Sequence, residues 1–441
     1  MGDPDAEQTA QPAANSNAVP VSGTERISSL DVLRGVAILG ILVMNIYAFA
    51  MPFPAYGNPL LMGGTDTWNM GTWFFTHIFF DQKFLSIFAM LFGAGIILMT
   101  GRAEQRGAKY GRIFYRRQFW LLILGTLHAY FIWLHDILFL YAAIGMLAYL
   151  FRNRTPRTLM ISASGLLLVT LLMNLGISGQ SRVMQSKVEE ITVRMDAGEE
   201  PTEEDEGMLA AWQEQRAFMA PNAEDLQEDV TLHQGNYAEI TTHRVPFAMQ
   251  LQSYGVLFMG ARVLALMLIG MVLMKTGVLA AERSANFYRR MILIAYGTGL
   301  PIMAYGAIDL NGHNFDSIYV FGMGGLPNFF GSIIVGLGHI GLVMSLIKAG
   351  VLQKLLQRFA AVGRMALSNY LLHSIILTTV FYGYGLGLYG SISRFGQMGF
   401  VVAVIVLQLL LSPWWLARYR FGPFEWLWRS LTYWQRQPML R

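Results

Sequence analysis

Apolar residues in this chain run in stretches long enough to cross a hydrocarbon core, for which about 20 residues are needed. Ten such stretches are predicted as transmembrane helices, at about 30–50, 83–100, 117–134, 137–151, 157–178, 250–274, 288–308, 319–348, 365–388 and 396–417. The third and fourth are parted by little more than His135 and Asp136. Residues 68–80, WNMGTWFFTHIFF, are aromatic and read either as an interfacial segment or as an extension of the second helix. The expected fold class is therefore all-α, a polytopic transmembrane helix bundle of about ten spans. No internal repeat is detectable, which disfavours the repeat-built transporter folds.

The polar connections orient these spans. Lys and Arg accumulate on the cytoplasmic side of a membrane protein, and here 22 of the 32 basic residues fall in alternate loops and after the last span, among them Arg102, Arg106, Arg152, Lys275, Lys348 and Arg418. Both termini are thus expected in the cytoplasm. The connection 179–246 then lies outside, and its fifteen acidic and five basic residues give it the opposite sign. Within it, PTEEDEGMLAAWQEQRAFM reads as a helix start, with Thr202 as cap and acids in the first turn, where the helix dipole favours them. A small helical hairpin covering the bundle is expected there. The domain reading is a flexible N-terminal tail at 1–27, a first transmembrane half at 28–178, an acidic extracytoplasmic helical insertion at 179–246, a second transmembrane half at 247–417 and a basic cytoplasmic tail at 418–441.

Composition agrees and excludes several chemistries. Charged residues are 14% of the chain against 54% hydrophobic, where soluble domains carry about 25% charged. The net charge of +4 comes from membrane-orienting clusters and does not point to nucleic acid. Cysteine is absent, so disulfides, thiolate nucleophiles and Cys-ligated metals are excluded. The histidines show no same-helix metal spacing, and no phosphate-binding loop motif occurs, so no metal is implied. Ala48-Phe49-Ala50 resembles a signal-peptide cleavage site, but the segment before the apolar run carries Asp3, Asp5 and Glu7 and is acidic where a signal peptide is basic.

Candidate chemistry begins in the first span, SSLDVLRGVAILGILVMNI. Asp31 reads as part of a capping box on Ser28, and Arg34 as a snorkelling interfacial cation. At about 100° per residue, however, Asp31, Arg34 and Asn45 share one stripe, with Asn45 about 16 Å above Arg34 and near mid-membrane. An amide there needs protein or water beside it. His128 and Asp136 lie at the outer ends of the third and fourth spans, where a carboxylate can orient an imidazole and raise its basicity. The alternative makes Asp136 a helix cap and His128 a core histidine, and His135 reads as exposed at the turn. Arg262 sits well inside the sixth span and needs a counter-charge, with Asp81, Asp309 or a bound anion as candidates. His339 and His373 read as packed, hydrogen-bonded histidines or as site groups, and Asp81 and Lys83 as interfacial anchors or site groups. Gly35, Gly93 and Gly95 most simply allow close helix packing.

RISSLDVLRGVAILGILVMNI, KFLSIFAMLFGAGI, GTLHAYFIWLHDILFLYAAIGM, GRMALSNYLLHSI and FGPFEWLWRSLTYWQRQP together resemble the YeiB-like family of bacterial inner-membrane proteins, domain of unknown function 418. These blocks span residues 26–438. Leu-Asp-Val-Leu-Arg-Gly, with Asn45 eleven residues after Arg34, is also similar to the first helix of the transmembrane acyltransferase superfamily. That second resemblance implies a bacterial inner-membrane enzyme that takes an acyl group from cytoplasmic acyl-CoA and passes it to a glycan or lipid acceptor on the far side. In the acetyltransferase branch a catalytic His follows the Asn by about eleven residues, and here that position is Tyr56.

Three functions follow as expectations. In an acyltransferase, Arg34 with Asp31 attracts the acyl-CoA, Asn45 stabilises an oxyanion, and His128 with Asp136 moves the proton. In a transporter or flippase for a small solute or lipid-linked sugar, Arg262 lines the path. In a structural protein every one of these groups is a packing group.

Overall fold

In a computed structural model the chain is described over residues 28–105, 110–219 and 221–441. The expected tail 1–27 and the basic residues Arg106 and Lys109 lie outside the described residues. The fold is helical: α1 (Ser28–Ala50), α2 (Pro54–Gly57), α3 (Thr67–Phe79), α4 (Lys83–Gln105), α5 (Gly111–Phe131), α6 (Leu138–Ala148), α7 (Pro156–Asp196), α8 (Glu203–Met219), α9 (Ala223–His233), α10 (Tyr237–Lys275), α11 (Ala285–Gly312), α12 (Ser317–Phe321), α13 (Leu326–Ala349), α14 (Gln353–Arg364), α15 (Ala366–Phe381), α16 (Arg394–Arg418) and α17 (Pro423–Tyr433). Among the described residues, seven helices are long and apolar enough to cross a membrane: α1, α3 running into α4, α7, α10, α11, α13 with its preceding turn, and α16.

The other expected spans are shorter or more polar. Arg112, Arg116 and Arg117 occupy the first turns of α5. Helix α6 has 11 residues and α15 has 16, or about 16 and 24 Å at the helical rise, less than a hydrocarbon core of about 30 Å. Both are apolar but shorter than the seven long helices. The two longest helices show the opposite. Helix α7 has 41 residues and α10 has 39, about 62 and 58 Å, so both extend well beyond a bilayer.

Those extensions run into segment 179–246 from both ends. Nothing breaks the helix between 178 and 196, and α10 starts at Tyr237 because Asn236 and Glu239 form a capping box. Helices α8 and α9 lie between. As the acidic first turn predicted, Thr202 Oγ1 accepts from the Asp205 N–H while Asp205 Oδ2 accepts from the Thr202 N–H.

Helix α1 is the hub. All of its residues are buried except Ser28, Arg34, Val36 and Asn45. It ends where Pro52 and Pro54 remove the donors that a further turn requires. Two crossings bring backbones into contact, as small residues permit in membranes. A Cβ on Gly93 would collide with the Met267 carbonyl and one on Gly270 with the Met90 carbonyl, so α4 and α10 touch reciprocally. Gly35 and Gly363 do the same for α1 and α14, against the Phe359 and Asp31 carbonyls.

Candidate functional site

The corner between α5 and α6 is short and rigid. The carbonyl of His128 accepts from both Ile132 and Trp133 N–H groups, ending α5. Trp133 is buried, stacks on Phe49 at 3.9 Å and donates Nε1–H to the Ala48 carbonyl, which pins the corner to α1. Asp136 Oδ2 accepts the Phe139 N–H at 2.8 Å and so caps the start of α6. Gly125 makes this approach possible, because a Cβ there would press into Phe139 N and Asp136 Oδ2.

The two readings of His128 and Asp136 thus describe one arrangement. Asp136 caps α6 with one oxygen, and with the other it accepts from His128 Nδ1 at 2.8 Å. Nε2 of His128 meets Ser374 Oγ, also at 2.8 Å. His128 is 1% exposed, Ser374 0% and the Asp136 side chain 1%, so the whole chain is out of water. An ionised carboxylate can only accept. A neutral His128 therefore carries its proton on Nδ1, leaving the Nε2 lone pair to accept from the Ser374 hydroxyl. Sequence reasoning missed Ser374, which lies 246 residues from His128 and beside His373, a residue turned elsewhere.

Helix α15 is held so that Ser374 faces this corner. Glu425 of α17 accepts from the Leu367 and Ser368 N–H groups at 2.7 and 3.0 Å, and from the Ser368 hydroxyl, capping the helix. Burial pushes the Glu425 carboxyl up from its ordinary range, against these donors. Along the other face, His373 Nε2 meets Gln408 Oε1 at 2.8 Å, Gln408 donates to the Asn369 carbonyl, and Asn369 donates to Ser412 Oγ. This ladder to α16 sets the rotation of α15.

A second buried polar cluster sits at the α3–α4 junction. Asp81 accepts from Tyr56 Oη–H at 3.1 Å and from Asn328 Nδ2–H at 2.7 Å, and meets His77 Nδ1 at 3.1 Å. Lys83 Nζ donates to the His77 carbonyl and to Asn328 Oδ1. Asp81 and Lys83 are 6% and 0% exposed, so they are not interfacial anchors. The turn that reverses the chain here places both side chains inward, with Gln82 at a φ of 62°. Tyr56, at the position where the acetyltransferase resemblance implies a histidine, is thus a ligand of a buried carboxylate.

Arg34 pairs with Asp31 at 3.1 Å, one turn along α1. Asn45 is half-buried on the same stripe. Arg262 donates to the Phe329 carbonyl at 3.2 Å and Ser332 Oγ at 2.8 Å, facing α13. Asp309 is not its partner: that carboxylate accepts from Tyr319 Oη–H and lies beside His313. His135 is not exposed, because its ring stacks on Phe53 at 4.4 Å and lies edge-on to Trp133. His339 bridges Tyr296 Oη and the Phe79 carbonyl. Among the described residues, no three His, Asp or Glu side chains gather as a metal would require.

The profile of the family described as "Protein of unknown function (DUF418)" matches residues 273–435, from the end of α10 through α17. "Uncharacterized protein YxaH" of Bacillus subtilis (strain 168) is 31% identical, over 97% of this chain and 99% of its own length. "Uncharacterized protein YeiB" of Escherichia coli (strain K12) is also 31% identical, over 92% of this chain and 96% of that protein. "Uncharacterized 39.9 kDa protein in amylase 3'region" of Bacillus acidopullulyticus is 24% identical over 96% of this chain and 98% of its own. No solved structure matches.

Proposed function

This chain belongs to the YeiB-like DUF418 family of multi-pass membrane proteins, and from the Asp136–His128–Ser374 chain we propose that it transfers acyl groups within the bacterial inner membrane, with Ser374 as the nucleophile. The observation that carries this reading is the pair of 2.8 Å hydrogen bonds through the two nitrogens of His128. A hydroxyl is a weak nucleophile until an oriented base accepts its proton. On this reading Ser374 Oγ attacks the thioester carbonyl of an acyl-CoA, His128 Nε2 takes the hydroxyl proton, and Asp136 stabilises the imidazolium. The C–S bond breaks and the thiol leaves with that proton. An acceptor hydroxyl, on an extracytoplasmic glycan or lipid, then attacks the seryl ester. Its proton passes through His128 back to Ser374 Oγ as the acyl group departs.

Asp136 is a positioning residue here, while Ser374 and His128 touch the reacting atoms. Arg34 with Asp31, at the end expected to face the cytoplasm, attracts the phosphates of the donor. Asn45, half-buried on the same stripe, donates to the developing oxyanion. The test is to incubate purified protein with radiolabelled acetyl-CoA and longer acyl-CoAs, measure thiol release, and search for an acylated Ser374 peptide by mass spectrometry. Labelled Ser374 in wild type, absent in Ser374→Ala, is expected. No thiol release with any donor, or equal release by Ser374→Ala, refutes the proposal.

A second reading, movement of a small solute or lipid-linked sugar across the membrane, is favoured by the buried Asp81 and Lys83 and the half-buried Arg262. Flux in proteoliposomes lacking any acyl donor that collapses on Arg262→Ala supports it, and flux untouched by that change counts against it.

A further inference from the structure

The α3–α4 cluster gathers two basic side chains, Lys83 and Arg262, around one carboxylate, Asp81. Lys83 and Arg262 approach the interior from α4 and α10 and donate to adjacent residues of α13, Asn328 and Phe329. Neither makes an ion pair with a carboxylate among the described residues. Asp81 is already occupied by Tyr56, Asn328 and His77. The partners of the two cations are neutral: the His77 and Phe329 carbonyls, Asn328 Oδ1 and Ser332 Oγ. A buried cation without a counter-charge is strongly unfavourable, and in membrane interiors it marks a functional site more often than a packing role.

Counting donors gives the same answer. A guanidinium has five N–H groups and an ammonium three. Arg262 uses two on Phe329 and Ser332, and Lys83 uses two on His77 and Asn328. Three guanidinium donors and one ammonium donor remain without a hydrogen-bond acceptor among the described residues. The Arg262 side chain is half-buried while Lys83 is sealed, so the guanidinium is the group a ligand reaches first. Phe329 lies under the guanidinium at 4.6 Å and holds the fork in place.

We propose that Arg262 and Lys83 form a binding site for an oxyanion, a phosphate or carboxylate group, that completes the charge balance of the Asp81 cluster. A fork beside a point charge suits either group, since the guanidinium can engage two oxygens while the ammonium takes a third contact. The site is built from residues other than His128, Asp136 and Ser374 and does not depend on acyl transfer.

The test uses the full chain, delipidated in a neutral maltoside detergent at constant ionic strength. Sodium phosphate, sodium acetate and phosphatidylglycerol are titrated separately, with calorimetry and the thermal unfolding midpoint as readouts. Wild type is expected to bind saturably in at least one arm with a rising midpoint. Binding in a phosphate or acetate arm identifies a free anion, and binding in the phosphatidylglycerol arm alone identifies a lipid headgroup. Arg262→Gln is expected to weaken that binding at least about tenfold, the scale of a lost charge-assisted fork. Arg262→Lys, which keeps the charge and serves as a folding control by gel filtration, falls between. No saturable binding in any arm overturns the proposal, as does binding unchanged in Arg262→Gln.

Discussion

Replacing Asp136 with Asn separates catalysis from packing, because the side chain keeps its volume and loses one acceptor. In the native site Oδ1 faces His128 Nδ1 and Oδ2 accepts the Phe139 N–H, both at 2.8 Å. An amide offers one oxygen to these two donors. If that oxygen stays with Phe139, the new NH₂ faces Nδ1, and the imidazole proton must move to Nε2. Ser374 then receives a hydrogen bond in place of donating one, and no base is left to accept its proton. If the oxygen stays with His128, α6 loses its cap and the Phe139 N–H is opposed by another N–H. Either way one buried hydrogen bond to a charged group is lost, which costs about 1.5–3 kcal/mol of stability. The effect on chemistry is larger, since a reversed tautomer in such a chain lowers kcat by about 10³–10⁴-fold. The assay is thiol release at saturating acyl-CoA, with the unfolding midpoint measured in the same detergent. Ser374→Ala and the double variant complete a cycle, and their losses are expected not to add, because the groups act as a unit. A kcat within about threefold of wild type, accompanied by the expected fall in stability, would refute acyl transfer at this chain and leave it as an interhelical tie.

Three other outcomes are expected. Gly270→Leu forces a side chain into the Met90 carbonyl at the α4–α10 crossing and should lower stability by more than about 3 kcal/mol, the upper range for overpacking, seen as early aggregation on heating in detergent. Glu425→Ala leaves the Leu367 and Ser368 N–H groups without their acceptor and should cost about 1–3 kcal/mol, with Glu425→Gln recovering part of the loss in the same melt. Burial, then the neighbouring His233, lowers the His135 imidazole from its ordinary 6.5 to about 4. Between those values the unfolded chain binds a proton that the folded chain refuses, so stability should fall as pH drops from 6.5 to about 4. His135→Phe, which keeps the ring on Phe53, should remove that part of the pH dependence of the melting midpoint.

Much of the fold is legible in residue order because a bilayer is a uniform solvent. Long apolar runs must be helices there, since each backbone donor has to be satisfied within its own segment. The same local logic finds the Thr202 cap, the stripe shared by Arg34 and Asn45, and the close packing at Gly35 and Gly93. Local logic also proposes His128 with Asp136, only eight residues apart across one turn. It is less informative about helix length, because α6 and α15 look like spans by composition and form shorter helices than the other seven.

What residue order could not decide is which polar groups meet. Ser374 reaches His128, and Asn328 reaches Asp81, across 246 and 247 residues. Asp81 and Lys83 look like interfacial anchors in a linear reading and are buried once the chain reverses between α3 and α4. The physical reason is that hydropathy and periodicity describe how each helix meets the solvent around it. The rotation and height at which one helix meets another depend on contacts such as Gly93 against Met267 and Glu425 against the start of α15, which only exist when both partners are in place. Sequence alone therefore determined a bundle of membrane helices carrying intramembrane polar groups. The tertiary structure decided that these groups form one acid–base–hydroxyl chain and one cation-rich cluster.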